Sequence, residues 1–92
     1  MTERDIVGKY LTEQEIDRAV WLYHQQLQTK DGLNNWQRRC QDEIIMPNMA
    51  RIMTARRAEG DKGDADTFMS WLLMMLHCVA DNEPVPTTPP RW

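Results

Sequence analysis

The sequence predicts an all-α fold, and three observations predict it. Apolar residues recur at helical spacing in each long segment, helix start and stop signals punctuate those segments, and no stretch alternates with the period of two of a half-buried strand. The expected architecture is a compact bundle of four to five helices in residues 1–81, built around a nearly all-apolar C-terminal helix. An extended Pro-rich tail is expected in residues 82–92. A length of 92 residues suits one domain. Such a chain buries only roughly 60–65% of its unfolded surface, so one core has to be shared by all elements.

The first element expected is a short helical turn after Thr2, with Asp5 three residues on and Ile6, Val7 and Tyr10 turned inward. Gly8 limits its length. The second has the strongest local signal in the chain. Thr12 and Glu15 have capping-box spacing, in which hydroxyl and carboxylate satisfy backbone N–H groups at the helix start, and Leu11 and Ile16 stand at hydrophobic-staple positions. Ile16, Val20, Tyr23 and Leu27 then define one apolar face over residues 13–30. Lys30-Asp31-Gly32 reads as its stop, with Gly32 expected in the left-handed conformation.

A third helix is expected to start at Asn34 or Asn35, both favourable caps. Its apolar residues Trp36, Cys40 and Ile44 face one way, whereas Ile45, Met49, Ile52 and Met53 face almost the opposite way. Pro47 also lacks an N–H and clashes with the preceding turn. These two facts predict a break or sharp kink at 45–48, with Pro47 in the first turn of a new segment that runs to about Ala58.

Residues 59–64 carry two Gly and four charges and read as a loop. Asp64 is the expected cap of a last helix over 65–80, apolar on most faces. Asp66, Ser70, His77 and Asp81 form its narrow polar stripe, with Met74 in the gap. Such a helix belongs at the centre of a domain or of an oligomer. Residues 82–92 contain four Pro, which forbid helix and favour polyproline II.

Composition narrows the function classes. The chain has four Trp and seven Met against one Phe, which suits a core of large, adaptable side chains. Its net charge of −3 is unlike the basic excess of a general nucleic-acid binder. The charge is uneven: residues 1–31 balance to −2, residues 32–62 to +2 and residues 63–92 to −3. Eight of the eleven basic residues are Arg, the side chain suited to bidentate contacts.

No catalytic or metal motif is present. His24, Cys40, His77 and Cys78 lack the spacing of a zinc site, and adjacent His77 and Cys78 diverge by about 100° on a helix. The acidic loop lacks the calcium-loop spacing, and Asp61-Lys62-Gly63 lacks the Ser or Thr of a phosphate loop. Both Cys lie in apolar helical patterns and are expected to be reduced. The expectation is therefore a protein without enzyme activity, cofactor or metal. No apolar leader follows Met1, and the apolar run at 68–80 is short for a membrane span, so a cytoplasmic, membrane-independent protein is expected.

The residues expected to meet a partner are Arg38, Arg39, Arg51, Arg56 and Arg57 as charged contacts, and Trp21 as an aromatic anchor, because Arg and Trp are enriched at protein interfaces. The leading reading is a small regulator, adaptor or inhibitor that binds a partner protein's surface. The alternative is a helical nucleic-acid-binding regulator that uses the Arg band around Pro47. Self-association through the Met-rich last helix is a further expectation, and the Pro-rich tail is a candidate ligand for an aromatic groove.

Overall fold

The computed structural model describes residues 2–60 and 63–86, and every regular element among them is helical. The order is α1 (Glu3–Val7), α2 (Glu13–Gln26), α3 (Gly32–Cys40), a π turn (Gln41–Ile45), a 3-10 turn (Met46–Asn48), α4 (Met49–Ala58) and α5 (Ala65–Asn82). The radius of gyration is 12.8 Å, close to the roughly 12 Å of a compact chain of this length. The expected tail falls largely outside the described residues, Trp92 and the Pro89-Pro90 pair included.

The starts of α1, α2 and α5 follow from side chains that replace missing helical partners. Thr2 accepts from the Asp5 N–H at 3.2 Å while Asp5 accepts from the Thr2 N–H at 3.1 Å. Thr12 and Glu15 repeat the arrangement at 3.2 and 2.8 Å. Asp64 accepts from the Thr67 N–H at 3.1 Å. Each such cap stabilises its helix by about 1 kcal/mol. Leu11 and Ile16 are both buried, as a staple requires.

α2 stops at Gln26, earlier than expected, and Leu27 is half-exposed rather than part of its buried face. The corner is also built differently. Asp31, not Gly32, takes the left-handed conformation, with φ 59°. Gly32 is the first residue of α3 and is buried, because the backbone of Gln26 runs against it: a Cβ there would stand 2.0 Å from the Gln26 carbonyl oxygen. Glycine is demanded here by close approach, not by dihedral freedom. α3 therefore starts two residues before Asn34, and neither Asn34 nor Asn35 is its cap.

The expected kink at 45–48 is a change of helical pitch. The Met46 N–H donates to the Gln41 carbonyl five residues back, and the Met49 N–H to the Met46 carbonyl three back. The Asn48 side chain donates to the Ile44 carbonyl at 2.7 Å. A π turn takes up about one residue more than an α turn and so rotates the face that follows. That rotation reconciles the two opposed apolar faces, and Ile44, Ile45 and Ile52 are all buried.

α5 packs against α1 and α2, and α2 packs against α3. The core includes Ile16, Val20, Leu22, Trp36, Ile52, Leu72 and Leu76. Trp36 is fully buried and donates its indole N–H to the Ala19 carbonyl at 2.8 Å. On α5, Asp66, Ser70, Met74 and Asp81 are exposed as the stripe predicted. His77 is not. It is half-buried against Tyr23 and Trp36, because α2 and α3 cover that end of the helix.

Candidate interaction surface

The six residues expected to form one surface do different things. Arg56 is only 2% exposed and is a structural side chain. It comes off the last turn of α4, donates to the carbonyls of Gly63 and Asp64, and lies over the Phe68 ring with Cζ 4.7 Å from the centroid. Tyr10 meets Phe68 edge-on at 5.1 Å, and Trp71 stacks beside Phe68 at 5.7 Å. Arg56 and these rings border a cleft of about 340 Å³ at the entrance to α5. Charge alone placed Arg56 on the surface. The loop carbonyls that it satisfies are invisible in a charge pattern.

Arg39 and Arg51 are exposed enough to reach solvent, but both are committed to carboxylates. Arg39 donates to Glu43 at 2.7 Å, one turn along the same helical segment, and Arg18 of α2 holds the other oxygen of Glu43 at 2.7 Å. The Arg39 hydrogen bond foremost, with the charges of Arg39 and Arg18, holds the Glu43 carboxyl below its ordinary range against the opposing effect of burial. Arg51 of α4 meets Glu15 of α2 at 2.5 Å. Glu59 meets Lys9 at 3.7 Å, and Asp42 has no ion pair among the described residues.

Arg38 and Arg57 remain. Both are exposed, and neither has an ion-pair partner among the described residues. They stand on different helices, α3 and α4, and Trp21 is on a third, α2.

Trp21 is half-buried against the core and borders a groove of about 440 Å³. Trp21, His24 and Gln25 lie on one face of α2, with Gln28 one turn further on, just past the helix end. The other border is Val85, 53% exposed, in the segment after α5. His24 donates its Nε2–H to the Glu83 carbonyl at 2.9 Å, and the Glu83 carboxylate meets Arg4 at 2.7 Å. Glu83 has left the helix with an extended backbone, φ −112° and ψ 145°. Sequence reasoning singled out Trp21 but not His24, Gln25 and Gln28. Their spacing from Trp21 was the available signal.

Other titratable groups are engaged structurally. Burial pushes the Cys40 thiol up to about 12, the reverse of what a nucleophile needs. Both cysteines are free thiols. The Tyr23 hydroxyl donates to Asp81 at 3.2 Å, and desolvation, then that carboxylate, raises its pKa. Among the described residues no three His, Cys, Asp or Glu side chains converge as metal ligands, and no helix is long and apolar enough to cross a membrane. No protein-family model matches the chain, and no curated protein or solved structure matches it.

Proposed function

We propose that the protein is a non-enzymatic, cytoplasmic helical module that binds a partner protein as a small regulator, adaptor or inhibitor. The observation that carries this reading is the groove at Trp21. An indole held against the core at the border of a groove suits an interface anchor: large contact area with little side-chain entropy left to lose. Arg38 and Arg57 are the charged contacts in this reading, since both are exposed and neither is ion-paired among the described residues. The mechanism is steric, by occupation of the partner's surface. In this reading α5 is the hub of the bundle.

Affinity capture from the native host, followed by mass spectrometry, tests the reading with two variants. Trp21→Ala should lose the captured partner, and Arg38→Glu combined with Arg57→Glu should weaken capture in a salt-dependent way. A partner set unchanged in both variants overturns the assignment. The nucleic-acid alternative relied on a free Arg band, and three of its five members are committed internally.

A further inference from the structure

We infer that α4 is a flap: it opens from the bundle as one unit while α1, α2, α3 and α5 stay folded, and so bares apolar surface at the entrance to α5. Three sets of observations lead there. First, little apolar burial holds α4 in place. α2 and α5 each bury five residues, from Ile16 to Tyr23 and from Phe68 to Ala80. α4 buries only Ile52 and Arg56, with Met49 and Met53 half-buried against the core. Local stability follows buried apolar area, so α4 has the least to lose by opening. The backbones agree. α5 runs close to α1 and α2, and α2 to α3, whereas α4 comes as close only to the 3-10 turn that precedes it.

Second, the long-range ties of α4 are largely polar, and water replaces them when they break. Arg51 meets Glu15 at 2.5 Å and Glu59 meets Lys9 at 3.7 Å, with the Arg51, Glu59 and Lys9 side chains all in reach of solvent. Such pairs contribute little, because both ends regain hydration on separation. Arg56 holds the Gly63 and Asp64 carbonyls and lies over Phe68 from a site only 2% exposed. A buried cation carries a desolvation cost, and opening returns that cost. It also bares the face of the Phe68 ring that Arg56 covers.

Third, both ends of α4 depart from α geometry, so opening breaks no continuous helix. The π turn and the 3-10 turn precede it, and a stretch of altered pitch is where helical segments hinge. No side-chain hydrogen bond caps its start at Asn48. Just past its end stands Gly60 with φ 82°, in the left-handed region, where a Cβ would meet no atom of the described residues within 4 Å.

Native-state hydrogen exchange on the full chain, read by NMR in low concentrations of urea, tests the inference. The α4 amides should share one opening, roughly a hundredfold more frequent than that of the slowest α2 and α5 amides. Its urea dependence should be shallow, because the opening exposes little surface, whereas α2 and α5 should show the steep dependence of global unfolding. Two variants separate the openings further. Tyr23→Phe removes the 3.2 Å bond to Asp81, which joins α2 to α5 and survives while α4 is open. It should speed the α2 and α5 amides by about fivefold and leave those of α4 unchanged. Ile52→Val weakens a contact that both openings break, so it should speed all three helices by the same few-fold factor. The inference is overturned if α4 follows α2 and α5 in urea or in Tyr23→Phe, because α4 then unfolds only with the whole. It is equally overturned if the α4 amides ignore Ile52→Val, because they then exchange by fraying. Should Tyr23→Phe move no amide, the urea dependence decides alone: a shallow common slope across α4 supports the flap and a steep one overturns it.

Discussion

Arg56 lies over the ring of Phe68, with its guanidinium carbon 4.7 Å from the ring centroid, and the same guanidinium holds the carbonyls of Gly63 and Asp64. One side chain thus ties the end of α4, the approach to α5 and the first buried ring of α5. Arg56→Leu removes both the donors to these carbonyls and the cation over the Phe68 ring. The expected loss is about 2–4 kcal/mol, read as a lower midpoint in urea with an unchanged slope. Arg56→Lys should recover little of it, because an ammonium cannot stack on Phe68 while donating through a planar fork. The neighbouring Arg57→Ala, at an exposed position, should stay within about 0.5 kcal/mol of the parent. Equal losses at Arg56 and Arg57 would contradict the structural role of Arg56.

Gly32 gives a second stability prediction. A methyl group there would lie 2.0 Å from the Gln26 carbonyl oxygen and 2.8 Å from its carbon, and both atoms are backbone. Alanine ordinarily favours a helix over glycine by about 1 kcal/mol. Here Gly32→Ala should instead destabilise by about 3 kcal/mol, because the α2–α3 corner has to open to admit the methyl. Thermal unfolding checks the sign, and a rise in melting temperature would refute the close approach.

These two positions also mark what the residues reveal in one dimension and what they do not. The capping box at Thr12, the cap at Asp64 and the exposed stripe of α5 are local. Each depends on residues within a few positions, so spacing alone exposes them. Pro47 and the opposed apolar faces located the disturbance between α3 and α4. The π turn that resolves it depends on where the core lies, which periodicity cannot supply. Gly32 and Arg56 were misread for the same reason. What each side chain or hydrogen faces belongs to a segment at least six residues away: Gln26 for Gly32, Gly63 for Arg56. Of the residues expected to meet a partner, Trp21 was legible by residue type. Its groove was not, because the far border is Val85, brought there only by the packing of α5 on α2.

The Arg39–Glu43–Arg18 cluster makes stability depend on pH in a definite direction. Glu43 titrates below its ordinary range in the folded state, held there first by the Arg39 hydrogen bond. Its contribution is complete above the unfolded carboxylate range and is lost as pH falls through the lower, folded value. The parent should therefore lose stability faster than Glu43→Gln as pH drops below about 4.5, the two curves converging at the acid end. Above that range their separation should be constant, and urea midpoints from pH 7 to pH 3 measure both regimes. A separation that widens on acidification would mean that Glu43 is not held ionised by its arginines.

The two thiols should react unequally. Cys40 is buried, and desolvation pushes its pKa up to about 12. At pH 8 only about one part in ten thousand of it is thiolate, and the thiolate is the species that attacks. Cys78 is half-buried near the end of α5. Titration with an aromatic disulfide reagent at pH 8 should release close to one equivalent of chromophore from the native protein, assigned to Cys78 by its absence in Cys78→Ser. A second equivalent should appear only in denaturant. Reaction of Cys40 therefore has to pass through opening of the core around Trp36 and Ile44. Its rate in the native protein should follow the unfolding equilibrium and rise in Arg56→Leu, although Arg56 lies on a different element from Cys40. A Cys40 rate unmoved by that variant would show that the α3 end opens independently of the lock between α4 and α5.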